Sequence, residues 1–461
     1  MKKYIYTILF CAVTLTFGCT KIEQDVPDSA FLESEAIREP KDVENLLNSC
    51  YDALANRLNG TVQTFNDLMS DDLILNISDA GNKQEIYNRS TIIFNDDVKD
   101  AYYGLYLVCS RVNSMDGLYK KVGVSADQEL ILRAEGRFLR GLAHFEVAKL
   151  WAQPPGFTSD NSHNGIVIRS EVSEFAKPRA TLKSSYDFII EDLIYAINNL
   201  PPKGAERPGF ANKNAAKALL AKVYFMRNDA GDATEAIRLI GEVIPTYTLS
   251  KDVNHYNNDS SAGEYIFQMI SARVGDNRGR VFIDQYRCDN KVPAYTITKE
   301  LFMNLTSDTT DKRGKNLVKS FNTGKDNEYF GITKFNKDYL SVPYLLLTDL
   351  LLTRAELYAE NGNLTAAADD VNLIINRAYS DPTGKIVTAV IRKDALISRI
   401  RSERRLEFFG EGDRLQHLKR RGYNPAQTIR NGPWNCPGLV LQFHAREAGV
   451  GFEFNGTGGC N

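Results

Sequence analysis

The sequence predicts a mainly α-helical protein, built partly from tetratricopeptide-type helix pairs and interrupted by irregular, loop-rich insertions. Three observations indicate this class. Apolar residues recur at helical spacing from Val43 to about Ile240, long alternating strand patterns are absent, and one helix-pair pattern occurs twice. Hydrophobic residues make up 43% of the 461-residue chain, so a large buried core is expected. A formal net charge of -2 gives no electrostatic basis for binding nucleic acid.

The first residues predict export and membrane anchoring. A short basic start precedes an uncharged apolar run at residues 4–17, which is too short to span a bilayer but suits a secretory signal. Residues 1–18 are therefore predicted to be a signal peptide. A small residue followed by Cys19 resembles a lipobox, which predicts lipidation of Cys19 and a lipid-anchored tether over residues 19–43. The alternative is an ordinary cleaved signal that leaves Cys19 unmodified.

Four long helices are predicted in the first half of the chain. Apolar residues recur every three or four positions in residues 46–54, 101–119, 129–151 and 181–200. The third pattern is the strongest, and it ends before Pro154 because proline removes a backbone donor and disfavours helix in the preceding residue. Two prolines end the fourth helix in the same way.

One pattern of small and aromatic residues occurs twice, and it matches the tetratricopeptide repeat. The first copy contains Leu220, Ala221, Tyr224, Ala233, Ile237 and Ile240, and the second contains Ala355, Tyr358, Ala367, Val371 and Ile374. Small alanines let two antiparallel helices approach closely, while the larger side chains fill the groove between them. These residues are therefore predicted to be core and not ligand contacts.

Other parts of the chain are predicted to be irregular. Residues 275–338 are rich in Asn, Asp, Gly and Tyr, with short β-like pieces at 280–283 and 329–332, and the tail from Asn431 has no helical period.

Of the seven cysteines, five remain after the signal peptide and the lipidated position are set aside. An odd number without CxxC spacing argues against a disulfide framework and against a zinc site. Cys50 and Cys109 occupy apolar helical positions and are predicted to be core. Cys436 and Cys460 bracket the tail and could pair.

Four segments carry a recognisable combination of residues: residues 134–140 (AEGRFLR) with Phe145; residues 179–181 (RAT) with Asp192, Leu193, Ala196, Leu200 and Pro201; residues 354–360 (RAELYAE) with Asn372, Arg377 and Ala378; and residues 403–414 (ERRLEFFGEGDR). Together they resemble the SusD/RagB family of nutrient-binding outer-membrane lipoproteins. Each segment alone is a weak signal, but their order and spacing agree along the chain.

The resemblance implies one SusD-like domain over residues 44–461, with an N-terminal half at about 44–250 and a C-terminal half at about 260–461. In this fold, tetratricopeptide-type helix pairs support an irregular region that forms the ligand side. Family members sit as a lid on a SusC-like TonB-dependent transporter and capture glycans, or peptides in some branches, before import. The resemblance therefore also implies an outer-membrane location, lipid-anchored and facing the cell exterior.

Acidic residues near residue 407 raise the alternative of a surface glycoside hydrolase. Glu403 and Glu407 share a helix face, with Glu411 and Asp413 just beyond, and glycoside hydrolysis needs paired carboxylates. Arginines are interleaved with these acids, and Arg404 can reach Glu407, so charge pairing is the favoured interpretation. The five histidines follow no metal-binding motif, and no nucleotide-binding or nucleophile motif occurs. We therefore predict no catalytic residues, no metal site and no cofactor.

The candidate ligand-binding residues are loop aromatics with neighbouring amides. A flat ring stacks on the apolar face of a sugar, while amides and acids bond its hydroxyl groups. Tyr87 with Asn88, and Tyr329 and Phe330 with Asn327, meet this description, although packing beneath a loop is the competing interpretation for each. The leading hypothesis is non-catalytic capture of a glycan or other nutrient. The alternatives are the hydrolase and a peptide-binding tetratricopeptide scaffold.

Overall fold

The computed structural model describes residues 37–76, 81–172, 176–202, 209–257, 263–388, 390–420 and 428–460. The predicted signal peptide, Cys19 and residues 19–36 of the predicted tether lie outside these residues. The rest of that tether is described, and the first helix already begins at Pro40.

Helices dominate the first half of the described chain, as the sequence predicted. They are α1 (Pro40–Ala55), α2 (Thr61–Met69), α3 (Asn82–Tyr87), α4 (Asp96–Met115), α5 (Leu118–Lys121), α6 (Ala126–Trp151), α7 (Leu182–Asn199), α8 (Lys213–Arg227) and α9 (Asp232–Val243). None of the helices in the described ranges is both long and apolar enough to cross a membrane.

The second half combines further helices with short strands. The helices are α10 (Arg280–Tyr286), α11 (Lys299–Thr306), α12 (Lys312–Asn316), α13 (Leu347–Glu360), α14 (Leu364–Ala378), α15 (Lys393–Phe408) and α16 (Arg414–Arg420). The strands are β1 (Leu73–Leu75), β2 (Tyr265–Met269), β3 (Tyr295–Ile297), β4 (Val318–Phe321), β5 (Tyr329–Ile332), β6 (Val342–Leu346), β7 (Thr428–Ile429) and β8 (Gly432–Pro433).

Polar residues set the starts of the long helices. Asn95, Ser125 and Thr181 each accept a hydrogen bond from the backbone N–H three residues ahead, so they cap α4, α6 and α7. Such caps satisfy backbone donors that have no partner inside the helix. Helix α6 ends at Trp151, two residues before the Gln153-Pro154 bond, where the sequence predicted its end.

Both predicted helix pairs are present. Helices α8 and α9 pack against each other as one pair, and α13 and α14 pack as the other. Ala221 and Ala355, the small residues of the pattern, are fully buried. Tyr224 and Tyr358 pack against the core from its edge and keep part of their surface exposed. The pattern therefore describes packing, as expected.

The irregular insertion contains more regular structure than the sequence predicted. Residues 329–332 form strand β5 as expected, within an antiparallel sheet of order β1-β3-β5-β4. The β-like reading of residues 280–283 was wrong, because they begin helix α10. A short apolar run does not distinguish helix from strand. Phe282 in this helix is fully buried and stacks on Phe335, with ring centroids 4.5 Å apart, so tertiary packing fixes the helix.

The tail is irregular, and one disulfide bond closes it. Cys436 and Cys460 are bonded across 24 positions, which resolves the pairing that the sequence left open. Cys50 and Cys109 are free and buried, as predicted, and so is Cys288. Phe443 of the tail packs edge-on against Tyr102 of α4, at a centroid distance of 5.5 Å. The tail is thus attached to the first half of the molecule.

Candidate ligand-binding site

The predicted ligand-binding residues separate into two places. Tyr87 and Asn88 line a cavity between helix α3 and the tail. Asn327, Tyr329 and Phe330 lie on the hairpin of β4 and β5, and none of them lines that cavity.

We call the cavity the Tyr87 pocket. Its volume is about 490 Å³, within the range of small-molecule sites in proteins. Its wall consists of Tyr87, Asn88, Arg89, Ser90, Arg430, Asn431, Gly458 and Cys460. Helix α3 ends at Tyr87, so the next three residues turn across the pocket as a loop.

Tyr87 contributes an aromatic ring to this wall. The ring is partly buried, and the Arg430 guanidinium lies over it, 4.6 Å from its centroid. A cation over a tyrosine ring is an attractive arrangement, and it fixes the ring in place. Asn88 and Asn431 are exposed beside it and supply amide groups. The pocket therefore combines the ring and the amides that the sequence hypothesis required.

Arg89 forms the floor of the pocket, and backbone oxygens hold it. Its side chain donates hydrogen bonds to the carbonyl groups of Met69, at 2.9 Å, and Ile429, at 2.5 Å. Only 2% of Arg89 is exposed. Burial, together with the charge of the nearby Arg430, lowers the pKa of its guanidinium to about 9.

Arg430 connects the tail to both sides of the pocket. Its Nη2 donates to the carbonyl oxygens of Leu68, at 3.1 Å, and Tyr87, at 2.6 Å. Its Nε is buried without a hydrogen-bond partner in the described structure. Burial also lowers the pKa of Arg430. The backbones of Arg89 and Arg430 both adopt positive φ, at 57° and 51°, which L-residues rarely do.

The disulfide-closed tail completes the wall. The Gly438 N–H donates to the Gly458 carbonyl at 2.9 Å, beside the Cys436–Cys460 bond. A β-carbon at Gly438 would lie 1.9 Å from the Arg89 carbonyl oxygen, which sterics forbid. Glycine therefore allows the tail backbone to reach the loop after α3.

The second candidate region is the hairpin of β4 and β5. Tyr329 is partly buried and stacks on Phe321, at a centroid distance of 4.9 Å and an interplanar angle of 6°. Asn327 is exposed at the turn. The site hypothesis grouped Tyr329 and Phe330 with the loop aromatics, but both lie in the predicted β-like piece, where cross-strand pairing orders them within β5. Phe330 is 9% exposed and stacks on Phe302 at 4.4 Å, so its ring packs beneath the sheet.

The acidic residues near residue 407 are buried and paired with cations. Glu403 and Glu407 both contact the Arg313 guanidinium at 2.9 Å, and Glu411 contacts Lys334 Nζ at 2.7 Å. The structure thus favours charge pairing, but the expected Arg404–Glu407 pair was wrong. Arg404 instead forms ion pairs with Asp349 and Asp413, because the tertiary fold places both carboxylates beside its guanidinium.

The electrostatics of Glu407 and Glu411 do not suit the general-acid role in glycoside hydrolysis. Burial alone would raise the pKa of Glu407, but Arg377, His255 and Arg313 hold it below its usual range. The pKa of Glu411 is also lowered, whereas the general acid of a glycoside hydrolase requires a raised pKa. The cavity beside Glu411 and Asp413 measures about 90 Å³, below the usual range for a small-molecule site. Within the described residues, no group of three or more His, Cys, Asp and Glu side chains could hold a metal ion.

Sequence reasoning found two residues of the Tyr87 pocket and missed the others. Arg89 directly follows Tyr87 and Asn88, so its position in the sequence could have indicated that it belongs to the same site. Arg430, Asn431 and Cys460 come from the distant tail. No local pattern brings them to helix α3.

Comparison with known proteins identifies the family. Residues 24–225 match a family model described as "Starch-binding associating with outer membrane", and residues 229–436 match the model of the SusD family. The chain therefore belongs to the SusD/RagB family, as its four sequence segments predicted. A comparison with curated proteins gave no match.

Solved structures share the fold over nearly their whole length. A SusD superfamily protein from Bacteroides fragilis is 23% identical with a TM-score of 0.76, covering 89% of this chain and 98% of that one. One from Bacteroides thetaiotaomicron is 19% identical with a TM-score of 0.76, covering 90% and 99%. A laminarin binding SusD-like protein is 20% identical with a TM-score of 0.72, covering 91% and 99%. At these identities the likeness shows the fold.

Proposed function

We propose that this protein captures a carbohydrate in the Tyr87 pocket, without cleaving it, and delivers it to a SusC-like TonB-dependent transporter. The observation that carries the proposal is the pocket itself. It sets a fixed aromatic ring beside two exposed amides in a cavity of about 490 Å³. Family membership and the laminarin binding of one structural neighbour support the choice of carbohydrate as the ligand class.

The sugar ring would stack on Tyr87, and its hydroxyl groups would bond to Asn88 and Asn431. Arg430 holds the tyrosine ring from one face, so little side-chain freedom is lost when a ligand binds. The Tyr329–Phe321 stack on the hairpin is a second surface on which an extended glycan could lie. We propose it as an accessory contact with Asn327, since it stands outside the cavity. Phe330 supports this surface from beneath.

Binding is tested by affinity electrophoresis against a panel of polysaccharides that includes laminarin and starch. We expect Tyr87→Ala to weaken binding of the retained polymer roughly tenfold or more, because a stacked ring contributes about 1–3 kcal/mol. Tyr195→Ala is the matched control. Tyr195 is also partly buried, with the Arg137 guanidinium 4.2 Å from its ring centroid, but it does not line the pocket.

Equal weakening by both tyrosine variants would remove the pocket from the proposal. Release of shortened products from any bound polymer would instead support the hydrolase alternative. Retention of peptides but no polysaccharide would support the peptide-binding scaffold.

Membrane attachment is proposed to depend on a lipid on Cys19, at the outer membrane and facing the exterior. We expect Cys19→Ala to leave a folded protein that is released from the membrane fraction. Membrane sedimentation of this variant after a high-salt wash, in cells that lack the SusC-like partner, would contradict the lipid anchor.

A further inference from the structure

The charges around the Tyr87 pocket are unbalanced. Six arginines are buried in the part of the chain that the structure describes: Arg89, Arg140, Arg313, Arg377, Arg404 and Arg420. Five of them form an ion pair with at least one carboxylate. Arg89 is the exception, because its hydrogen bonds run to backbone carbonyl groups.

Two further cations lie close to Arg89. Arg430 bonds to two backbone carbonyl groups, and its Nη1 forms no hydrogen bond with the described residues. Lys419 is 1% exposed, and its Nζ reaches the Lys149 carbonyl oxygen at 3.4 Å. Burial and the charge of Arg89 lower the pKa of Lys419 to about 7. Neither cation forms an ion pair within the described ranges.

Asp71 does not neutralise the charges of Arg89 and Arg430. Asp71 attracts both Arg89 and Arg430 at longer range. Its two oxygens already bond to Arg414, at 2.8 and 2.7 Å. Elsewhere in this protein, buried cations are matched by acids, as Arg313 is by Asp311, Glu403 and Glu407. A buried charge without a counter-charge is unfavourable, so an anion entering the pocket would remove a penalty present in the empty protein.

We propose that the Tyr87 pocket selects carbohydrates that carry an anionic group, either the carboxylate of a uronic acid or a sulfate ester. Arg430 is the direct contact, because its Nη1 is left to a ligand. A guanidinium presents paired N–H donors that match the oxygen atoms of a carboxylate or of a tetrahedral oxyanion. Arg89 is a positioning residue that adds positive charge from the floor while bonded to the protein. This inference rests on the proposed function and specifies the chemistry of its ligand.

The test compares polymers that share a backbone and differ in charge. One pair is polygalacturonate and its methyl ester, and the other is κ-carrageenan and its desulfated form. We expect the protein to bind at least one charged polymer roughly tenfold more tightly than its neutral partner, and added NaCl to reduce the difference. The first pair reports on carboxylate and the second on sulfate.

Arg430→Gln should remove this preference, leaving similar affinity for the charged and neutral polymers. Arg430→Lys keeps the charge and should retain part of the preference. Arg137→Gln is the matched control, because Arg137 also lies over a tyrosine ring but outside the pocket, and it should change nothing. Thermal melting of each variant separates a binding loss from a folding loss.

The outcomes distinguish the two proposals. Equal affinity of the wild type for charged and neutral polymers would overturn the charge preference and leave carbohydrate capture intact. A preference that survives in Arg430→Gln would overturn the role of the pocket arginines. Binding to no polysaccharide in either experiment would overturn the proposed function and this inference together.

Discussion

His255 is a fully buried residue whose charge depends on two glutamates. Its Nδ1 lies 3.3 Å from Glu411 Oε2, and its Nε2 lies 3.5 Å from Glu407 Oε2. Burial alone would lower the pKa of His255, but the two carboxylates raise it to about 9. The imidazole is therefore protonated in the folded protein at neutral pH, and it forms part of the charge cluster that includes Arg313, Arg377 and Lys334.

This arrangement predicts a pH-dependent stability. The folded pKa of about 9 lies above the ordinary value of 6.5, so the stabilisation is complete below 6.5 and is lost as pH rises towards 9. We expect the melting temperature to fall more steeply, or to rise less, over that interval in the wild type than in His255→Gln, because the lowered pKa of Lys419 makes the same opposite contribution in both proteins. If the melting temperature depends on pH with the same slope in both proteins, His255 is not the cause of the dependence.

Two neighbouring residues of the β4–β5 hairpin allow packing and ligand binding to be tested separately. Phe330 is buried against Phe302, so Phe330→Ala should lower the free energy of unfolding by about 3–5 kcal/mol. Tyr329 is partly exposed and stacks on Phe321, so Tyr329→Ala should leave stability less affected and weaken binding of long glycans. Calorimetric binding and thermal melting of the two single variants measure both effects. Unchanged affinity in Tyr329→Ala would remove the hairpin from the ligand path.

At the scale of the elements, the two helix pairs depend on small residues between close backbones. Ala221 and Ala355 are fully buried. Replacing either with leucine should destabilise the fold by about 1–3 kcal/mol, because overpacking moves neighbouring side chains from preferred rotamers. Ala233→Leu offers a comparison, since Ala233 is only partly buried. Melting temperatures that do not change in Ala221→Leu and Ala355→Leu would contradict the packing assignment.

The elements also show where sequence reasoning succeeds. Long helices such as α6 and α7 were predictable because their apolar period, caps and prolines are local signals. The short helix α10 was not predictable, because a few apolar residues fit a helix or a strand equally well. Packing against residues distant in sequence decides between the two.

At the scale of the whole molecule, the family and its fold were predictable from the sequence, but the side of the Tyr87 pocket that the tail contributes was not. Tyr87 and Asn88 could be predicted from local composition, because an aromatic ring and an amide lie next to each other in a polar segment. The position of Arg430 depends on contacts with Leu68 and Tyr87 across the whole chain. A positive charge without a counter-charge can be recognised only after the three-dimensional neighbours of Arg89 are known.

The joining of the tail to helix α3 has a consequence for the order of folding. Arg89 and Ile429 are hydrogen-bonded across 340 positions, and Arg430 bonds to Tyr87 beside them. Contacts so distant in sequence form late, because a long loop must close before they contribute stability. During refolding, helical circular dichroism should therefore recover before glycan binding does. A partly folded chain would already contain its helix pairs but would not yet retain a sugar, so ligand capture reports the completion of folding.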